Sequence, residues 1–158
     1  FKNQSNNDHH ILVAIGSPNV RKTVVQKLSS DLNFISLTHP QAILQDKASM
    51  KIGKGSIICA GSILTCDISL GDFTIINLNC TVGHDVQMGN FCSLMPGVNI
   101  SGGVTLGEAV FIGSGATVLQ GITIGDGAII GAGAVVTKDI SANCTAVGIP
   151  AKPIKFHK

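Results

Sequence analysis

The sequence predicts an all-β fold, a parallel β-helix in which short strands alternate with tight corners. An aliphatic residue or Met stands at every sixth position without a phase slip, and a small or β-branched residue follows four positions later. A six-residue period fits neither a 3.6-residue helix nor a plain alternating strand. The fifteen periodic residues are Ile52, Ile58, Leu64, Leu70, Ile76, Val82, Met88, Leu94, Ile100, Leu106, Ile112, Val118, Ile124, Ile130 and Val136.

The repeat also predicts how the coils stack. Three hexapeptides form one triangular coil, so the fifteen repeats predict about five coils, with each side chain stacked on its equivalent eighteen residues away. The residue directly after the periodic position is often glycine. Glycine at such corners permits positive φ, which Asn and Asp also tolerate.

Composition narrows the class of protein. The chain has 158 residues, enough for one domain or one domain plus a fragment of another. Hydrophobic residues make up 44% and charged residues 13%, yet no run approaches the ~18 apolar residues of a membrane-spanning helix. A net charge of +2 without a basic cluster disfavours nucleic acid as a partner. Five cysteines, an odd number without CxxC, indicate reduced thiols in a cytoplasmic protein rather than a disulfide framework.

The segment before the repeat predicts a partial Rossmann-like β-α-β lobe over residues 1–42. Residues 1–10 are polar and predict a loop. The predicted elements that follow are a strand at Ile11–Ile15, a helix over Val20–Leu28 and a second strand at Phe34–Leu37. Ser17 is positioned to cap this helix, with Pro18 at its first position.

Gly16 and Ser17 lie at the turn from the first strand to the helix, where a phosphate could bind. The full GxGxxG fingerprint of dinucleotide-binding proteins is absent, so the prediction depends on a single glycine. The repeat domain is predicted over residues 43–145. The Gly- and Pro-containing residues 146–158 are predicted to form a loop and tail that close the last coil.

These features resemble the bacterial sugar acetyltransferases of the left-handed β-helix superfamily. The nearest branch contains the sialic-acid O-acetyltransferases and the nucleotide-linked 4-amino-sugar N-acetyltransferases of the bacillosamine and perosamine type. The matching segments are Val13–Gly16 with Arg21, Ile43–Ser49, Ile76–Asn77, Gly83–Asp85, Ser101–Val104, Phe111–Ala116 and Gly148–Pro153. The resemblance implies a left-handed helix, a bacterial cytoplasmic homotrimer, acetyl-CoA between neighbouring prisms, and a nucleotide sugar held by the N-terminal lobe.

The resemblance assigns the chemistry to one corner of the helix. His84 is the only histidine inside the repeat, and an imidazole can take a proton from an attacking amine or hydroxyl. Asp85 would orient the ring, and the Gly102 N–H, eighteen residues after His84, would bind the acyl oxygen. The alternatives are an ordinary surface histidine, an ordinary corner aspartate and a glycine that only serves a turn.

The resemblance also assigns binding residues. Asn77, Gly16 and Ser17 are expected to contact the sugar or its nucleotide, although Asn77 is equally well explained as a corner residue. The residues expected to contact acetyl-CoA are Gly102, Gly103, Gly113, Ser114, Ala132 and Lys152. Ser93 departs from the family, because some close members carry there a second histidine near the thioester.

The predicted activity is transfer of an acetyl group from acetyl-CoA to the amine of a nucleotide-linked amino sugar. The alternatives are sialic-acid O-acetylation and a non-catalytic β-helix scaffold. A γ-type carbonic anhydrase needs three histidines around zinc, and the coils contain only His84, so no metal is expected. Cys66, one coil below His84, could suggest a Cys–His nucleophile, but direct transfer from CoA needs no acyl-enzyme.

Overall fold

The computed structural model describes residues 10–29 and 31–157. Its main body is a parallel β-solenoid of about six turns, consistent with a left-handed β-helix, with one short helix near the N-terminus. Short strands of successive turns stack into three sheets, which form the faces of a triangular prism. Within the described ranges, no helix is long and apolar enough to cross a membrane.

Each face is a ladder of strands. Face 1 contains β3 (Leu37–Thr38), β6 (Ile57–Ile58), β9 (Ile75–Ile76), β12 (Ser93–Leu94), β15 (Phe111–Ile112), β18 (Ile129–Ile130), β20 (Cys144–Val147) and the antiparallel β21 (Lys152–Phe156). Face 2 contains β4 (Ile43–Leu44), β7 (Ile63–Leu64), β10 (Thr81–Val82), β13 (Asn99–Ile100), β16 (Thr117–Val118) and β19 (Val135–Val136). Face 3 contains β5 (Lys51–Ile52), β8 (Ser69–Leu70), β11 (Gln87–Met88), β14 (Thr105–Leu106) and β17 (Thr123–Ile124), followed by a bridge at Ile140.

The structure has about six turns where the repeat predicts about five coils, because a further coil precedes the uninterrupted repeat. Ile43 pairs with Ile63, twenty residues on, whereas Lys51 pairs with Ser69, eighteen residues on. A 3₁₀ turn at Lys47–Ser49 accounts for the two extra residues. This insertion shifts the phase of the first coil, so a search with a fixed period of six does not find it.

The core agrees with the predicted periodicity. From Ile58 to Val136, each periodic residue is at most 5% exposed, and the positions four residues later are also buried. Corner residues of the predicted types, such as Gly103, Asp67 and Asp85, have positive φ. They lie two positions after the residue that directly follows the periodic position. Many of the earlier glycines have a steric role instead, because a Cβ on Gly53 would lie 2.4 Å from the backbone of the next coil.

The N-terminal lobe has the predicted β-α-β order with shifted bounds. The strands β1 (His10–Ile11) and β2 (Asn33–Phe34) are parallel, and α1 (Pro18–Lys27) lies between them. Pro18 begins the helix as predicted, but the Ser17 side chain at the N-cap makes no capping hydrogen bond. The first nine residues of the predicted loop lie outside the described residues.

Arg21 of α1 shows how the lobe is held against the solenoid. Its side chain is fully buried and donates hydrogen bonds to the carbonyls of Ile15 and Gly16 within the lobe. It also donates to carbonyls of the solenoid, at 2.8 Å to Phe73 O and 2.8 Å to Phe91 O. Burial lowers the pKa of Arg21 to about 10, so the guanidinium stays charged at neutral pH.

Candidate functional site

The corners of the solenoid stack into three edges. Edge A joins faces 1 and 2 and contains residues 59–61, 77–79, 95–97, 113–115 and 131–133. Edge B joins faces 2 and 3 and contains residues 65–67, 83–85, 101–103, 119–121 and 137–139. Edge C joins faces 3 and 1 and contains residues 53–55, 71–73, 89–91, 107–109 and 125–127.

His84 and Asp85 form a hydrogen-bonded pair on edge B. The distance from His84 Nδ1 to Asp85 Oδ2 is 2.7 Å, and the two side chains are 65% and 67% exposed. Adjacent residues of a regular strand point to opposite faces. Asp85 escapes this restriction because its φ of 58° is left-handed, so both side chains meet outside the corner. A carboxylate on Nδ1 favours the tautomer whose Nε2 lone pair can accept a proton.

Gly102 lies directly over the imidazole of His84. A Cβ on Gly102 would be 2.5 Å from His84 Nε2 and 2.7 Å from its Cε1. Since a C–C bond is ~1.5 Å long, the Gly102 Cα lies within about 4 Å of Nε2. The backbone hydrogen bond from Gly103 N to His84 O, at 2.8 Å, fixes this stacking. Within the described ranges, the Gly102 N–H has no hydrogen-bond acceptor in the chain.

Cys66 lies one coil below His84, as its spacing predicts, because the Asp85 N–H donates to Cys66 O at 3.2 Å. Desolvation raises the pKa of the Cys66 thiol, and a hydrogen bond from the thiol to the Asp67 carboxylate and the charges of Asp67, Asp85 and Asp46 raise it further. A thiol surrounded by carboxylates stays protonated near neutral pH and is a poor nucleophile. This environment disfavours a Cys–His nucleophile on edge B.

Most of the residues expected to contact CoA lie together on edge A. A Cβ on Gly113 would be 2.5 Å from Ala132 N, and Gly133 N donates to Ser114 O at 2.9 Å. Ser114 and Ala132 are exposed. Exposed Lys152 begins β21 beside Val147, which covers the Gly131 corner at the top of the same edge.

Asn77 is also on edge A, two coils below Gly113. Its Oδ1 accepts a hydrogen bond from the Leu78 N–H at 2.8 Å, so the side chain has a local role in the corner. Its contact with a sugar remains a prediction.

Gly16 and Ser17 lie where the lobe meets face 1. The Gly16 carbonyl accepts a hydrogen bond from Ser93 Oγ at 2.8 Å, and a Cβ on Gly16 would be 3.9 Å from Met95. Ser17 and Asn19 line a pocket of about 250 Å³ together with Phe111 on face 1. Ser93 is therefore buried beneath α1, on a different face from His84, and the contact with phosphate at Gly16 and Ser17 remains a prediction.

The predicted site residues thus form two groups on two edges of one chain. His84, Asp85, Gly102 and Gly103 are on edge B, whereas the other residues assigned to CoA are on edge A. Face 2 lies between the two groups, and two edges of a triangular prism point away from each other. Their grouping can be read from the sequence, because residues whose numbers differ by multiples of eighteen share an edge.

Sequence reasoning gave Arg21 no structural role, because a mid-helix arginine without an acidic partner looks like a surface residue. It also left Gly83 unexplained. In the described part of the chain, no cluster of three or more His, Cys, Asp or Glu side chains could hold a metal ion.

The prism of stacked hexapeptides, with a histidine–aspartate pair under an open backbone amide, has the architecture of a hexapeptide-repeat acyltransferase. A family model described as bacterial transferase hexapeptide (six repeats) matches residues 85–120 and 103–138. No curated protein sequence matches the chain significantly. The solved structures, however, include several similar proteins.

PerB from Caulobacter crescentus, solved in complex with CoA and GDP-perosamine, is 36% identical over 92% of this chain and 70% of PerB, with a TM-score of 0.88. The acetyltransferase domain of PglB from Neisseria gonorrhoeae, solved with acetyl coenzyme A, is 35% identical over 92% and 70% of the two chains, with a TM-score of 0.87. WeeI from Acinetobacter baumannii is 33% identical over 93% and 72%, with a TM-score of 0.88. The chain belongs to the hexapeptide-repeat family of bacterial transferases, and its structural neighbours are acetyltransferases.

Proposed function

We propose that this chain transfers an acetyl group from acetyl-CoA to the amine of a nucleotide-linked amino sugar, with His84 as the general base. The observation that carries the proposal is the stacking of the Gly102 backbone over His84 Nε2 on an exposed edge. A base and an amide donor are thereby held within reach of one reacting carbonyl. The neighbours solved with CoA and GDP-perosamine support the cosubstrate and the class of acceptor.

The proposed chemistry is direct transfer. His84 Nε2 accepts a proton from the amine nitrogen as that nitrogen attacks the thioester carbonyl carbon. The Gly102 N–H donates to the carbonyl oxygen as negative charge develops on it. The tetrahedral intermediate then collapses, the C–S bond breaks, and His84 returns its proton to the departing thiolate. Asp85 keeps Nδ1 protonated and the ring oriented throughout.

The distribution of residues over two edges supports a homotrimer with sites between subunits. Ser114, Ala132 and Lys152 on edge A cannot surround a thioester bound at His84 on edge B of the same chain. Edge A of one protomer placed beside edge B of its partner would bring both groups to one groove. Lys152, at the top of edge A, is suited to a CoA phosphate.

The N-terminal lobe is the proposed site of the acceptor's nucleotide. Gly16 and Ser17 precede α1, whose first turn has unpaired N–H groups that favour a phosphate. The pocket of about 250 Å³ beside Ser17 has apolar walls from face 1, which suit the flat surface of a base or sugar.

The test is release of CoA from acetyl-CoA, measured chromatographically, with UDP-, GDP- and dTDP-linked 4-amino sugars and sialic acid as acceptors. We expect turnover with at least one amino sugar. His84→Ala should lower kcat by about 10²- to 10⁴-fold, because the proton acceptor is lost. Its melting temperature should not change, because the side chain is 65% exposed.

His39→Ala is the matched control. His39 is an exposed corner histidine of the first coil, and its Nδ1 accepts a hydrogen bond from the Gln41 N–H at 3.1 Å. We expect this variant to keep the activity of the unmodified protein. Undiminished turnover by His84→Ala, or no turnover with any acceptor by the folded protein, would contradict the proposal.

A further inference from the structure

Gly83 differs from the equivalent residues on its own edge. The residues that directly follow the periodic position on edge B are Thr65, Gly83, Ser101, Leu119 and Thr137. The equivalent residues on edge C are Gly53, Gly71, Gly89, Gly107 and Gly125. The corners of edge C therefore use glycine in each of these coils, whereas edge B accepts a side chain except in the coil that carries His84. The glycine at position 83 needs a local explanation.

The backbone above Gly83 provides that explanation. A Cβ on Gly83 would lie 2.6 Å from Gly102 N, 2.8 Å from Ser101 C and 3.0 Å from Gly102 Cα. These are backbone atoms, and they cannot move aside as the end of a flexible side chain can. Any side chain at position 83 therefore displaces the peptide that joins Ser101 to Gly102.

That peptide is also the one that faces the proposed reaction. It carries the Gly102 N–H, and the Cα of Gly102 lies over the imidazole of His84. The two glycines therefore have complementary effects. The absence of a side chain on Gly102 leaves space between its backbone and the imidazole of His84. The absence of a side chain on Gly83 allows the Ser101–Gly102 peptide to lie close to that imidazole. Thr65 and Ser101 show that a Cβ is tolerated in the neighbouring coils of the same edge.

We infer that Gly83 is a positioning residue, which holds the Ser101–Gly102 peptide at the height where its N–H reaches the acyl oxygen. The inference rests on the proposed function. The φ of Gly83 is not in the left-handed region, so an alanine there creates a contact without a torsional penalty. A misplacement of ~1 Å at a reacting centre costs about 10²-fold in rate, and loss of one oxyanion donor costs about 10²- to 10³-fold in kcat.

Gly83→Ala is the direct test. We expect kcat to fall by about 10²-fold while KM for acetyl-CoA changes by less than about 3-fold, because the donor acts mainly on the transition state. The pH at which the acidic limb of kcat/KM bends should stay where it is in the unmodified protein, because His84 and Asp85 are untouched. A general loosening of the fold would not produce this combination.

Gly71→Ala is the matched control for the steric effect. A Cβ on Gly71 would lie 2.6 Å from Asn90 N and 2.6 Å from Gly89 C, a close approach of the same kind on edge C. We expect this variant to lower the melting temperature as much as Gly83→Ala does, with kcat within about 3-fold of the unmodified protein. Equal loss of kcat in both variants would overturn the inference.

The outcomes separate this inference from the proposed function. If His84→Ala abolishes turnover but Gly83→Ala keeps full kcat, the positioning role is wrong and the general base stands. If His84→Ala keeps full turnover, the proposed function itself is wrong.

Ser101→Gly is the second variant, for the case in which Gly83→Ala melts below the assay temperature. Glycine at position 101 gives the residue that contributes the carbonyl of the same peptide more conformational freedom and introduces no clash. We expect a several-fold lower kcat with unchanged KM, and an unchanged kcat would overturn the inference.

Discussion

The left-handed conformation of Asp85, with φ of 58°, brings its carboxylate to the ring of the preceding histidine. Asp and Asn are enriched among residues with this conformation because of their short polar side chains. Asp67, one coil below, has a φ of 54° and is likewise an exposed corner residue. The corner therefore accounts for an aspartate at both positions, and only Asp85 pairs with a histidine.

Asp85→Asn removes the negative charge of the side chain and keeps the left-handed backbone conformation of residue 85. Asparagine accepts the same φ, but its amide can donate to Nδ1 and place the ring proton on Nε2, where it blocks base catalysis. We expect kcat to fall by about 10- to 100-fold, less than for a buried triad acid, because this pair is exposed to solvent. The measurement is steady-state kinetics with a melting curve for each variant.

Asp67→Asn is the control for this substitution, since it makes the same change at the same kind of corner. It should keep kcat and melt at the same temperature as Asp85→Asn. Equal losses of kcat in the two variants, or none in Asp85→Asn, would count against the orienting role of Asp85.

At the scale of elements, α1 is held to the solenoid by a buried cation. Besides the carbonyls already named, Arg21 Nη2 donates at 3.0 Å to Cys92 O and at 2.9 Å to Ser93 Oγ. Within the described residues no carboxylate pairs with this guanidinium, so backbone carbonyls provide its negative surroundings. Removal of the Arg21 side chain would therefore leave several buried acceptors of the lobe and the solenoid unpaired.

Arg21→Met should detach the lobe without unfolding the solenoid. The substitution leaves buried acceptors without their donor and should destabilise the docked lobe by about 3–5 kcal/mol, as when one partner of a buried charged interaction is removed. We expect amides of α1 to exchange with solvent much faster, while amides of β9 and β12 stay protected. Hydrogen exchange read by mass spectrometry measures both at once.

Lys22→Met is the matched control, from the next residue of the same helix. The ion pair of Lys22 with Glu108 is partly exposed, at 36% and 41%, and such pairs contribute about 0–1 kcal/mol. Exchange of α1 should barely change in this variant. Continued protection of α1 in Arg21→Met would show that the apolar contacts of the helix suffice.

The elements also show what periodicity in a sequence can and cannot predict. Positions such as Leu64 and Ile112 were predicted to be buried and are 0% exposed, because stacking imposes the same environment every six residues. The first coil was missed because the turn at Lys47–Ser49 breaks the period. The contacts of Arg21 reach Phe91, seventy residues away, and no local pattern reports such a contact.

At the scale of the whole molecule, the sequence predicts the site residues one by one, and the structure divides these predicted residues between two edges. His84 and Gly102 differ by eighteen and stack on edge B. Ser114 and Ala132 also differ by eighteen and stack on edge A. One prism therefore carries the predicted residues in two separate groups, and the proposed homotrimer would complete three sites by pairing unlike edges around a threefold axis.

Mixed oligomers test this arrangement. His84→Ala removes the base from edge B, and Ala132→Trp places a bulky ring on the exposed edge A, so each variant alone should be inactive. The two variants are unfolded, mixed in equal amounts and refolded. The mixture should recover about a quarter of the unmodified activity, because random assembly places an intact edge A beside an intact edge B at about one interface in four.

Ala142→Trp, at another exposed corner, should stay active alone and so controls for the added ring. If the mixture stays inactive although mass spectrometry detects mixed trimers, both half-sites must come from one chain, and the proposed site between subunits is wrong.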